Sequence, residues 1–166
     1  MTKKYNCCSY PFLKETSLKC DYEIMTDELS SLLGLCDASC KHIEELGKLV
    51  EITYHLNGSV RGKNAIEETD LDFIDRAHEK YHQILGEKTK TFVLPKGCIG
   101  ACHLHLARVK AKEVARLLYK IDREEKEVNQ ILFDFINLLS NTLFLMAIFE
   151  NQEEGIDEVK FVSKSY

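Results

Sequence analysis

The chain predicts an all-α fold, an up-and-down bundle of five helices, and three observations carry that expectation. Only two prolines, Pro11 and Pro95, occur in 166 residues. Nowhere does apolar and polar character alternate long enough to make a convincing strand. Several long stretches instead repeat their apolar residues every three or four positions, the period of a helix with one buried face. Residues 1–166 suit a single domain, since folding buries roughly two-thirds of the unfolded chain's surface at this size.

Taken in order, residues 1–23 read as an N-terminal loop. Thr26 is the expected N-cap of a helix from Asp27 to Cys40, with acids in its first turn, where the helix dipole favours them. Leu29, Leu32, Leu33 and Cys36 form its inner face. A second helix, Lys41 to Asn57, turns Ile43, Leu46, Val50 and Tyr54 inward and stops at Gly58. Thr69 is the expected cap of a third, Asp70 to Leu85, which buries Phe73, Ile74, Ala77, Tyr81 and Ile84 before Gly86 ends it. The segment EKTKTFVLPKG is an ordered connection, because a disordered linker would not be expected to carry Phe-Val-Leu.

The fourth helix spans Cys98 to Glu125, with Leu106, Val109, Val114 and Leu117 inward and a basic ridge of Arg108, Lys112 and Arg116 at spacings of four. The fifth, Glu127 to Glu150, is apolar on nearly all sides, so it is either central or a subunit interface. A polar stripe of Glu127, Gln130, Asp134, Asn137 and Asn141 runs along it. Residues 151–166 form a C-terminal tail of weak strand character lying on the surface.

Composition narrows the function classes. With 22 basic and 27 acidic residues the net charge is -5, so a general electrostatic grip on nucleic acid or an anionic membrane is not expected. Any anionic ligand needs a local cluster of cations. Ile131 to Phe149 has about the length of a membrane span, but Asp134, Asn137, Ser140, Asn141 and Thr142 would together cost several kcal/mol in lipid. It reads as a buried helix. Seven cysteines, together with a start too polar for a signal peptide, point to reduced thiols and a cytoplasmic protein.

Glu79 and His82 match a Glu-x-x-His spacing, but a di-iron bundle needs that motif twice, and a solvated helix face accounts for it here. Cys36 with Cys40, and Cys98 with Cys102, show no convergence of four ligands and read as small apolar filler. No nucleophile stands in a tight Gly-flanked turn, and no Gly-rich phosphate cradle is present.

Three stretches carry a resemblance over about residues 20 to 150: DELSSLLGL at Asp27 to Leu35, FVLPKG at Phe92 to Gly97 followed by LHLAR at Leu104 to Arg108, and INLLSNTLFLMA at Ile136 to Ala147. In order and spacing they resemble the ATP:cob(I)alamin adenosyltransferases of the propanediol-utilisation and ethanolamine-utilisation types. The second stretch is the specific one.

The resemblance implies a homotrimer of five-helix bundles, with sites between subunits that move the 5'-deoxyadenosyl group of ATP to the cobalt of a reduced corrinoid. It implies Phe92 as the apolar wedge below the corrinoid ring and Asp27 with Arg108 as an intersubunit pair. Lys112, Arg116 and Asn137 become nucleotide contacts, joined by Lys14 and Lys19, which are local cations where the propanediol type has a Thr-Gly-Asp-Asp-Gly phosphate loop. ATP, Mg2+ and cobalamin are the small molecules expected, in the cytoplasm or inside a bacterial microcompartment.

One phosphate-reading arginine of the propanediol type is Lys112 here, a charge without a bidentate fork. Arg108-Val-Lys110-Ala-Lys112-Glu113 is closer to the ethanolamine-type Arg-x-Lys-x-x-Glu. Cys7-Cys8 is similar to the start of that branch's Cys-Cys-x-x-Cys metal site, but residue 11 is Pro and no metal is expected. The rival reading is a corrinoid-binding or scaffolding homologue without transfer activity.

Overall fold

A computed structural model of the protein describes residues 12–165; Cys7 and Cys8 lie outside them. Among the described residues five α-helices follow one another: α1 Leu18–Ser39, α2 Leu46–Gly58, α3 Glu68–Leu85, α4 Ile99–Glu124 and α5 Gln130–Glu153, with a short 3-10 helix at Gly86–Lys90. Among the described residues no strand is present, only one isolated β-bridge.

Each helix reverses the direction of the one before it. Tyr22 Oη donates to the carbonyl of Leu56 at 3.0 Å and Ser30 Oγ to that of Val50 at 3.1 Å, which sets α1 antiparallel to α2. Leu18 N–H donates to Glu125 at one end of α1, and Ser39 meets His103 at the other, so α4 is antiparallel to α1. Ser140 Oγ reaches the carbonyl of Arg108, fixing α4 against α5. α3 lies parallel to α5, with His78 beside Thr142 and Tyr81 against Phe149.

Several helix starts differ from the expectation. α1 begins at Leu18, capped by Ser17, whose Oγ accepts from Lys19 N–H at 3.2 Å, so residues 18–23, expected in the N-terminal loop, are helical. Thr26 is buried inside the helix and donates to the carbonyl of Tyr22 at 2.8 Å, the alternative a threonine hydroxyl takes when it does not cap. Residues 41–45 are a turn, not helix. The buried Glu150 carboxylate at the end of α5 accepts from the backbone N–H groups of Lys41 and His42, at 2.8 and 3.3 Å, and ties that turn down. α3 is capped by Glu67, which forms a capping box with Asp70, rather than by Thr69.

The inner faces also shift. Tyr54 and Ile84 point outward, while Leu49, Ile52 and Leu85 are buried in their place. On α4, Leu106 and Val109 are exposed; the buried face is Leu104, Ala107, Ala111, Val114, Leu118 and Ile121. Alanine at two successive turns lets α4 pack closely on both α1 and α5. α5 packs against both α3 and α4 and is buried along much of its length. It is long and apolar enough to cross a membrane, yet 67% of its most apolar window is buried inside the bundle.

The tail is anchored. Val93 and Lys160 form an antiparallel bridge, Leu94 N–H donates to the carbonyl of Val159, and Phe161 N–H to that of Phe92, both at 2.9 Å. The apolar loop and the tail thus hold each other at one end of the bundle.

Candidate functional site

That end of the bundle contains a cavity of about 500 Å3. His78 and His82 from α3 form one wall, Thr89 to Phe92 the rim, and Arg108 and Lys112 from α4 face Ser140, Asn141 and Phe144 from α5. Among the described residues no Asp or Glu lines the cavity, while Lys90, Arg108 and Lys112 all contribute. The field inside therefore favours an anion.

Phe92 is 81% exposed, although it belongs to an ordered loop. Nothing in its own bundle buries the ring, so a large apolar surface is presented to whatever occupies the cavity mouth. Arg108 is half-buried, its guanidinium 5.7 Å from the centroid of Phe144. Its Nε has no hydrogen-bond partner among the described residues, and burial lowers its pKa. Behind it, His105 is 4% exposed, with neither ring nitrogen hydrogen-bonded. Burial, reinforced by the charge of Arg108, pushes its pKa down to about 4, so the imidazole is neutral at ordinary pH. His78 Nδ1 lies 3.3 Å from Thr142 Oγ1, and the rings of His78 and His82 stack with centroids 6.2 Å apart.

Of the residues singled out in the sequence, the fold brings Phe92, Arg108 and Lys112 into this one cavity. Asn137 lines an adjoining recess of about 380 Å3 with Asp72, Asp75 and Asp134, and Asn141 belongs to both. Arg116 is exposed on α4 two turns beyond Arg108, outside the cavity. Asp27 is exposed on α1; Lys19 lies in the first turn of that helix near Glu125, and Lys14 is exposed just ahead of it, neither lining the cavity. At 1.5 Å per residue, Glu125 is about 25 Å from Arg108 along α4, so a single chain does not bring Lys19 to the cavity. Sequence reasoning missed His78, Ser140 and Phe144. Asn141 was visible only as part of a polar stripe.

One trio among the described residues, His42, Glu150 and Glu154, sets its ligand atoms within 4.8 Å of one another. Its carboxylates are already occupied by the Lys41 ammonium and by the backbone of residues 41 and 42, which makes it a cap for the turn.

The cobalamin adenosyltransferase family profile matches residues 15–150. A corrinoid adenosyltransferase from Citrobacter freundii is 30% identical over 135 residues, covering 75% of this chain and 76% of that protein. The corrinoid adenosyltransferase PduO of Salmonella typhimurium is 34% identical over 94 residues, which are 56% of this chain and only 26% of that longer protein. Among solved structures, a variant PduO-type ATP:corrinoid adenosyltransferase from Lactobacillus reuteri, complexed with cobalamin and ATP, superposes with a TM-score of 0.76. It covers 89% of this chain and 88% of the other at 21% identity, a likeness of fold. With the profile running through all five helices nearly to the end of α5, the chain belongs to the cobalamin adenosyltransferase family.

Proposed function

We propose that the chain transfers the 5'-deoxyadenosyl group of ATP to the cobalt of cob(I)alamin, giving adenosylcobalamin and triphosphate. The observation that carries this reading is one cavity holding an exposed aromatic wedge, Phe92, beside two cations, Arg108 and Lys112, with no carboxylate among the described residues of its lining. The Co(I) electron pair attacks the ribose C5', a cobalt–carbon bond forms, and the C5'–oxygen bond breaks, its electrons leaving with the triphosphate. Charge therefore builds on the phosphate side, where preorganised cations are most effective.

Phe92 fills the space that the corrinoid's lower axial ligand would occupy, which makes Co(II) easier to reduce. Arg108 and Lys112 hold the polyphosphate, and Asn137 with Asn141 borders the nucleotide. A cavity without acidic groups does not suit a resident divalent cation, so Mg2+ enters as part of the nucleotide substrate.

The working unit is a homotrimer with its sites between subunits. Asp27, Lys14 and Arg116 are exposed, and Arg108 lacks an intrachain carboxylate among the described residues, which supports a site completed by another copy. In that arrangement Asp27 pairs with Arg108 across the interface, and Lys14, Lys19 and Arg116 extend the phosphate grip. The Arg108, Lys110 and Glu113 pattern favours the ethanolamine branch of the family; Lys110 pairs with Glu28 and Glu113 instead of facing the cavity. We place the enzyme in the cytoplasm, free or within a microcompartment.

The test is anaerobic adenosylation with reduced cobalamin, ATP and magnesium, followed optically for the cobalt–carbon bond. Formation of adenosylcobalamin with stoichiometric triphosphate supports the proposal. Cobalamin binding without transfer would point to the corrinoid-binding homologue instead.

A further inference from the structure

Phe92 leaves most of its ring exposed, so its position over the cavity is set chiefly by the backbone of its loop. That backbone is held in two places, and both lead to Asn151 near the end of α5. Asn151 is fully buried. Its Oδ1 accepts from Cys98 N–H at 3.0 Å, and Nδ2 donates to the carbonyl of Lys96 at 3.0 Å and to Glu158 Oε1 at 2.8 Å. Its own carbonyl accepts from Ile156 N–H at 2.8 Å. One carboxamide therefore pins the end of the loop and the N-cap of α4, and it also anchors the tail whose residues 159–161 pair with residues 92–94.

Gly97 shows how closely the loop is drawn onto this group. Its φ of 144° is one that L side chains rarely adopt, and a Cβ there would collide with the Asn151 carboxamide. The chemistry is specific to an amide: one acceptor faces an N–H while two donors face a carbonyl and a carboxylate. Aspartate at this position would set oxygen against oxygen twice.

We propose that Asn151 is a positioning residue for transfer, setting the place of the Phe92 ring through the backbone of residues 92–98 and through the tail. This rests on the wedge role assigned to Phe92 above, and the experiment separates the two. The full chain is compared with its Asn151→Asp, Glu158→Ala and Phe92→Ala variants. Four readouts are taken: cooperative thermal unfolding, amide exchange over residues 92–98, binding of MgATP, and the fraction of added cob(II)alamin lacking its lower ligand when MgATP is bound, read from its spectrum.

Asn151→Asp is expected to unfold cooperatively, to lose exchange protection in the loop while the helices keep theirs, and to hold MgATP within about twofold. It should lower the ligand-free cob(II)alamin fraction, and lower kcat on the order of tenfold to a hundredfold, since a misplacement near 1 Å can cost about a hundredfold at a reacting centre. Unchanged loop protection, or an unchanged cob(II)alamin fraction when Phe92→Ala lowers it, would overturn the proposal. If Asn151→Asp fails to fold, Glu158→Ala decides, since it cuts the side-chain tie from Asn151 to the tail and leaves the main-chain bond to Ile156 in place: a several-fold fall in loop protection supports the proposal and none overturns it. An unchanged cob(II)alamin fraction in Phe92→Ala removes the wedge reading alone, and loop exchange still decides whether Asn151 holds the segment.

Discussion

The Arg108 guanidinium stands over the Phe144 ring at 5.7 Å with its Nε unpaired, while Asp27, its expected partner, lies exposed on α1 of the same chain. A half-buried cation without a carboxylate is costly. If the pair forms between subunits, neither residue alone makes a site. Asp27→Ala and Arg108→Ala should each abolish most transfer. Trimers reassembled from an equal mixture of the two should regain activity, because about a quarter of their interfaces unite the intact Asp27 with the intact Arg108. Mixtures as inactive as their parents would exclude the intersubunit pair.

Phe92 should act on the corrinoid and not on the nucleotide. Phe92→Ala is expected to slow adenosylation by an order of magnitude or more while MgATP affinity changes less than about twofold, because an interaction made only along the reaction path appears in kcat. Parallel losses in both quantities would show the loop to be a general structural element.

Lys112 lines the cavity and Arg116 does not. A charge-assisted contact to phosphate contributes about 1.5–3 kcal/mol, so Lys112→Ala should weaken MgATP binding roughly tenfold to a hundredfold. Arg116→Ala should cost clearly less. Titration calorimetry distinguishes them, and equal losses would mean that the nucleotide runs further along α4 than the cavity does.

The five helices were legible because their 3.6-residue apolar period is written over many residues, whereas their starts depend on single side chains that several neighbours could supply. Ser17 caps where Thr26 was expected, and Glu67 where Thr69 was. Leu106 and Val109 satisfy the same period yet face outward, since periodicity marks an apolar face without saying what covers it. The wedge loop and the α4 cations were readable as motifs. The His78 and His82 wall was not, because it follows from α3 and α5 packing in parallel, a tertiary choice with no local signature. Asn151 was hidden for a related reason: the partners of its carboxamide lie 7 to 55 positions away along the chain.

Gly100 gives a stability test of the α1–α4 contact. A Cβ there would meet Cys40 Sγ at 2.9 Å, the Ser39 carbonyl at 3.2 Å and Cys40 Cα at 3.3 Å. Alanine gains up to about 1 kcal/mol of helix propensity. Overpacking against backbone costs about 1–3 kcal/mol, so Gly100→Ala should be destabilising on balance in urea melts. Adding Cys40→Ala should recover part of the loss, since it removes the thiol but leaves the Ser39 carbonyl. Full recovery would place the whole clash on the sulfur.

His105 should make stability fall in mildly acidic solution. Its folded pKa of about 4 lies below the ordinary 6.5, so the fold prefers the neutral ring. Above pH 6.5 neither folded nor unfolded chain holds the proton, and the contribution is complete. Between 6.5 and 4 the unfolded chain takes up a proton that the folded chain refuses, and stability drops by about 1.4 kcal/mol per pH unit, levelling off below 4. Carboxylates that ion pairs hold below their ordinary range, such as Glu154 beside Lys41, lose stability only at lower pH, so the window from 6.5 to 5 belongs mainly to the histidine. Replacing it by leucine, of similar volume and without polar atoms to orphan, should flatten the melting temperature across that window and leave it unchanged or raised at pH 7.5. An unchanged slope in His105→Leu would assign the acid sensitivity to another group.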